Sequence, residues 1–158
     1  MIRVSQLKLT IEFIPEPLWG QSIAQRYPRQ WNKLRRAAYA EAGHRCEVCG
    51  GVGFRGSMIN PGGLEAHEVW EYEFHGDDAV QRLVRLIALC PRCHQCKHMG
   101  RSYRVMPRAA YRDLVEHFLT VNELSEQQYA EYRAELTTEW WRNNTLNWSQ
   151  DLSAFLTG

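Results

Sequence analysis

Nowhere in this 158-residue chain do apolar residues run on for the roughly 18 positions a membrane-crossing helix needs. The opening Met1-Ile2-Arg3-Val4 is not a charged region leading into an apolar stretch and a small-residue cleavage site, so a cytoplasmic protein without membrane attachment is expected. Internal repeats and low-complexity tracts are also missing. Cysteine is sparse, five residues in all, and in a reducing compartment that excludes a disulfide framework as the organising principle. Net charge is only +1, an unpromising total for a protein that binds a polyanion. What is present is a 44% hydrophobic fraction, enough to give a chain of single-domain size a core.

The small net charge conceals segregation along the chain. Residues 1–60 carry nine basic against four acidic side chains, and residues 61–81 carry six acidic and none basic. Residues 82–112 then hold eight basic side chains and no acidic one, while 113–158 hold two against eight. A concentrated basic stretch serves phosphate binding better than a diffuse surplus, and Arg82, Arg92, Lys97, Arg101 and Arg104 are its candidate nucleic-acid contacts. A solvated basic face is the plainer alternative.

Leu7, Leu9, Ile11 and Phe13 alternate with polar residues, the pattern of a half-buried strand, and Pro15 and Pro17 end it. From Pro28 the period becomes helical through Trp31, Leu34, Ala38 and Ala42, with Gly43 as the stop. Residues 50–63 are rich in glycine and predict an irregular loop. Leu64 to Phe74 is a candidate strand pair, Gly76-Asp77-Asp78 a turn or helix start, and Val80 to Leu89 a stretch that begins helical and ends extended. Pro91 suits the first turn of a helix bearing His94 and His98, a second helix follows Pro107, and Ser125 with Gln128 forms a capping box for a third.

Two C-x-x-C turns, Cys46 to Cys49 and Cys90 to Cys93, can each present two sulfurs to one ion, and together they complete a tetrahedral structural zinc site. Cys93 with Cys96 is a competing pair, and otherwise Cys96 is a buried free thiol. His94 and His98 lie four apart, on one face of a helix, and can chelate a second ion. His67 is the natural third ligand, which would leave a coordination position open for water or phosphate. The bland alternative is surface histidines near a helix end and one satisfied structural histidine. A redox role for the C-x-x-C pairs is a further alternative, although no βαβ pattern surrounds them.

The order C-x-x-C, then Leu64-Glu65-Ala66-His67-Glu68-Val69, then Leu89-Cys90-Pro91-Arg92-Cys93-His94, resembles the zinc-stapled branch of the HNH endonucleases. The run His67-Glu68-Val69-Trp70-Glu71-Tyr72 also resembles a group of bacterial HNH proteins. The resemblance covers residues 44–99 and implies an α+β fold built on a ββα-metal core. It further implies hydrolysis of DNA, taken as double-stranded, with structural zinc and a divalent catalytic metal: Mg, Mn, Ni or Zn. Aligned on Ala66 and Val69, His67 takes the family's metal position, Glu68 the position of its histidine base, His94 the closing histidine and His98 a further metal ligand. Arg85 falls where the family has asparagine. A register shifted by one residue would instead make His67 the base and leave Ala66 at the metal position.

Glu68 would need a raised pKa to act as a base, or would serve as a fourth ligand. Arg85, a donor only, cannot accept a hydrogen bond from an imidazole but can pair with Glu68 or the scissile phosphate. These two departures also favour a second possibility, a DNA-binding or scaffolding protein that has lost turnover. The expected layout is an N-terminal strand and helix over 1–43, the metal-binding core over 44–106 and a helical cap over 107–158. The cap, acidic and aromatic, would pack on the core or present a surface for a homodimer or protein partner.

Overall fold

The computed structural model describes residues 2–156; Met1 of the N-terminal extension and Thr157 and Gly158 of the cap lie outside the described residues. It is an α+β structure with six α-helices and a three-stranded sheet. The helices are α1 (Ile23–Arg26), α2 (Pro28–Glu41), α3 (Pro91–Lys97), α4 (Met99–Val105), α5 (Arg108–Asn122) and α6 (Glu126–Asn143). The strands are β1 (Glu65–His75), β2 (Asp78–Leu89) and β3 (Asn147–Asp151), in the order β1-β2-β3. Among the described residues no helix is long and apolar enough to cross a membrane.

Strands β1 and β2 form a long antiparallel hairpin, and the chain passes from β2 directly into α3. The turn at Gly76 has φ +63°, a left-handed conformation that glycine adopts without the steric cost of a Cβ. The expected strand pair within Leu64 to Phe74 is thus a single strand. The helical start expected for Val80 is also corrected, because all of β2 is extended. Its mixed pattern arises because β2 is the central strand, pairing with β1 on one side and with β3, in parallel, on the other. No periodicity announced β3, whose five residues are too few for a clear pattern.

The helices follow their local signals more closely. Pro28 and Pro91 each open a helix, where a missing N–H costs nothing. Ser125 and Gln128 make a complete capping box on α6, and Ser22 with Gln25 makes another on the four-residue α1.

The N-terminal strand does not form. Residues 7–15 belong to no helix or strand, although Leu9 and Ile11 are buried. Side chains of the C-terminal helices supply the backbone partners instead. The Leu9 N–H donates to Asn122 Oδ1 while Asn122 Nδ2 donates to the Leu9 carbonyl, and the Ile11 N–H donates to the Tyr132 hydroxyl oxygen at 3.0 Å. The Glu12 N–H donates to the carbonyl of Lys97 at the end of α3. Alternation along this segment reports which side is buried, and says nothing of who satisfies its backbone. One continuous hydrophobic core runs from Leu9 through the hairpin to Phe118 and Tyr132, so the acidic C-terminal helices pack on it.

Candidate functional site

The sulfurs of Cys46, Cys49, Cys90 and Cys93 lie within 4.8 Å of one another, a donor set suited to a structural metal such as zinc. Each knuckle turns a backbone N–H toward sulfur: Gly51 to Cys49 Sγ at 3.4 Å and Cys93 to Cys90 Sγ at 3.5 Å. Hydrogen bonds from the thiols of Cys90 and Cys93 hold Cys46 far below the ordinary thiol range, and the bond with Cys46 pushes Cys90 up to about 11 against the lowering effect of Cys93. Cys96 stands apart from the cluster, completely buried on the core side of α3, and burial raises its thiol to about 12. Cys90 and Cys93 are therefore the second pair. No spacing along the chain pointed to His117 on α5, whose Nε2 lies 3.2 Å from Cys93 Sγ and links the helical cap to the cluster.

A second cluster brings His67 of β1 together with His94 of α3 and His98 at its C-terminal end, again with ligand atoms within 4.8 Å of one another. Burial, followed by the neighbouring His94 and His67, lowers the pKa of His98 to about 4, so this imidazole stays neutral at physiological pH, the form that ligates metal. Carboxylates hold the other two rings. His67 Nε2 donates to Glu12 Oε2 at 2.8 Å, and His94 Nδ1 donates to Glu65 Oε2 at 2.9 Å. A carboxylate engaged with one nitrogen of a ring leaves the other nitrogen available to an ion, the arrangement common behind metal-ligating histidines.

Glu12 was not among the expected site residues, since it lies 55 positions before His67 in a segment that reads as an ordinary strand. Burial works to raise its pKa, but the hydrogen bond and charge of His67, with help from Lys97 and His98, keep it below the usual value. Lys97 is buried; it donates to Thr10 Oγ1 at 2.7 Å and lies 3.9 Å from Glu12. It is therefore no surface phosphate contact, in contrast to the expectation from its place in the basic stretch.

Consecutive strand residues face opposite sides, so Glu68 points away from α3 and toward α1. Its Oε1 accepts the Ile23 N–H at 2.7 Å. Burial raises its pKa to about 7, against the lowering effect of hydrogen bonds from Ile23 and Ala24. Arg85 takes neither expected partner: its Nη2 donates to Glu47 Oε1 at 2.6 Å, and Glu47 Oε2 accepts the Ala88 N–H, so this arginine braces the first knuckle against β2. Arg82 is engaged by Glu73 and Asp151. Arg92, Arg101 and Arg104 are exposed.

A cleft of about 870 Å³ opens beside the histidine cluster. Strand β1 is an edge strand, and the cleft is lined by both His67 and Glu68 from its two faces, by His94 and His98, and by Arg101 and Arg104 of α4. Trp19, Trp31, Trp70 and Trp140 also line it.

Compared with family models, curated proteins and solved structures, the chain shows no match.

Proposed function

We propose that this protein is a metal-dependent endonuclease that hydrolyses DNA phosphodiester bonds on a ββα-metal core of the HNH kind. The observation that carries the reading is the convergence of His67, His94 and His98 on one point of a hairpin-helix unit braced by four cysteines. Three imidazoles suit a borderline divalent ion and leave it open positions. Such an ion, when bound, supplies positive charge to a phosphate oxygen and lowers the pKa of water. Glu12 and Glu65 orient the rings that hold it.

Glu68, which lines the same cleft from the opposite face of β1, is the base in this reading. With a pKa near 7, it is far more basic than an ordinary carboxylate and yet half ionised at neutral pH, the balance that proton abstraction from water requires. The Ile23 N–H fixes one oxygen of its carboxyl group. Arg101 and Arg104, exposed on the same cleft, pair with phosphates of the strand. The test is plasmid nicking with added Mg, Mn, Ni or Zn by the intact chain, His67→Ala and His94→Ala. Metal-dependent nicking lost in both variants is expected; equal nicking by all three would mark contamination and end the proposal.

A second reading is a zinc-braced DNA-binding scaffold without turnover, favoured by one observation: Arg85, at the family's asparagine position, is committed to Glu47 and lies outside the cleft lining. It is distinguished by salt-sensitive DNA binding with no cleavage under any metal.

A further inference from the structure

The cleft beside the histidine cluster is also lined by side chains that phosphate hydrolysis does not require. Trp19, Trp31, Trp70 and Trp140 line it together, four of the six tryptophans in the chain. Trp19 is 53% exposed, so folding alone does not account for so large an aromatic ring at that position. Two of the indoles are also held in place. Trp19 Nε1 and Trp140 Nε1 both donate to the carbonyl of Ile14, at 2.9 and 3.0 Å, which satisfies their polar atoms and fixes the rings. Ile14 lies two residues beyond Glu12, so one short stretch of backbone carries both the carboxylate on His67 and the anchor of the two indoles.

We propose that this aromatic wall is a pocket for an unstacked nucleobase, and that the substrate is a DNA strand presenting an unpaired or flipped-out nucleotide next to the scissile phosphate. The inference rests on the nuclease reading for the chemistry, but the pocket itself rests on the tryptophans and their continuity with the histidines. A continuous duplex keeps its bases stacked inside and offers the indoles nothing to stack on, whereas an extruded base offers a π-face of any sequence. Arg101 and Arg104 on α4 line the same cleft and complement the backbone phosphates flanking that nucleotide. The volume, about 870 Å³, lies within the range of pockets that enclose a drug-sized ligand and accommodates a base with its sugar.

The test measures binding and cleavage separately on fluorescent oligonucleotides: an intact duplex, the same duplex with one unpaired nucleotide, one with an abasic residue at that position, and the single strand. Binding is measured with His94→Ala, which is not expected to cut, and with the double variants carrying Trp19→Ala or Trp140→Ala as well. The unpaired nucleotide and the single strand are expected to bind roughly 5- to 100-fold tighter than the intact duplex, with the abasic form losing most of that gain. Trp19→Ala, at an exposed position, should remove the preference, and Trp19→Phe should restore much of it. Equal affinity for all four oligonucleotides, or a preference unaffected by Trp19→Ala and by the missing base, would overturn the pocket. The wild-type chain reports on cleavage of the same set: a preserved binding preference without cleavage under any metal supports the pocket and sinks the nuclease reading alone.

Discussion

Glu12 Oε2 lies 2.8 Å from His67 Nε2, although 55 residues separate the two in the chain. The carboxylate fixes the ring's proton and orientation, and Lys97 at 3.9 Å stabilises its charge. Glu12→Gln keeps an acceptor for the imidazole N–H but removes that charge. It is expected to weaken binding at the histidine cluster and to lower nicking by about 10- to 100-fold, measured by metal titration and plasmid assay. Unchanged affinity and rate would reduce Glu12 to a packing contact.

The raised pKa of Glu68 has opposite consequences for activity and stability. In the proposed reaction the ionised form is the active one, so the nicking rate is expected to climb as pH rises toward about 7 and to level off above it. In the folded chain this carboxyl holds its proton more tightly than the ordinary value of 4.5. Its contribution to stability is therefore fully present below 4.5 and is lost as pH rises through about 7. The loss is on the order of 3 kcal/mol. Glu68→Gln, which keeps an acceptor for the Ile23 N–H, is expected to flatten the stability change across that window while cutting nicking by roughly 100-fold or more. Denaturation at several pH values with the metal content held constant checks the first effect, and a pH–rate profile the second.

Removing an ion held by the four sulfurs should loosen more than two loops, because the cluster ties the segment after α2 to the start of α3, which carries His94. Cys49→Ser is expected to lower zinc stoichiometry and to cost at least about 2 kcal/mol, roughly 4–8 °C in Tm for a chain of this size. His117→Ala leaves all four sulfurs in place and removes the neighbour 3.2 Å from Cys93 Sγ. A 10-fold or greater fall in zinc affinity is expected, read by competition with a chelating dye. Zinc affinity equal to that of the intact chain would mean that His117 only fills space.

Tyr132 satisfies the buried N–H of Ile11 and thereby holds the segment that delivers Glu12. Tyr132→Phe leaves that donor unpaired, at an expected cost of about 1–3 kcal/mol. Thermal unfolding should show a Tm lower by roughly 2–12 °C. Because Glu12 is only one residue away from Ile11, metal affinity at the histidines is expected to fall too, which distinguishes a positioning effect from a purely global one.

Short-range chemistry was legible along the chain. Two sulfurs in a tight turn, two imidazoles four residues apart, proline at a first helical turn and serine with glutamine across a helix start all act within a few bonds of their own backbone. Residues 46–49, 90–98 and 125–128 therefore pointed to the four-cysteine cluster, to the His94–His98 pair and to the start of α6 before any fold was known. The loop over 50–63 was legible for the same reason, since its glycines and proline disfavour regular elements.

Tertiary structure decided the rest, because those outcomes depend on which distant groups arrive to satisfy a charge or a backbone amide. Leu9 and Ile11 are bonded by Asn122 and Tyr132 where a neighbouring strand was expected, and β2 is extended throughout because strands flank it on both sides. Arg85 went to Glu47 and Lys97 to Thr10 beside Glu12, so membership in a basic stretch did not make either a cleft contact. Sequence sets what each residue is able to donate, accept or ligate; only the packed chain selects its partner, since pairing energy falls off within a few ångströms and carries no memory of separation along the backbone.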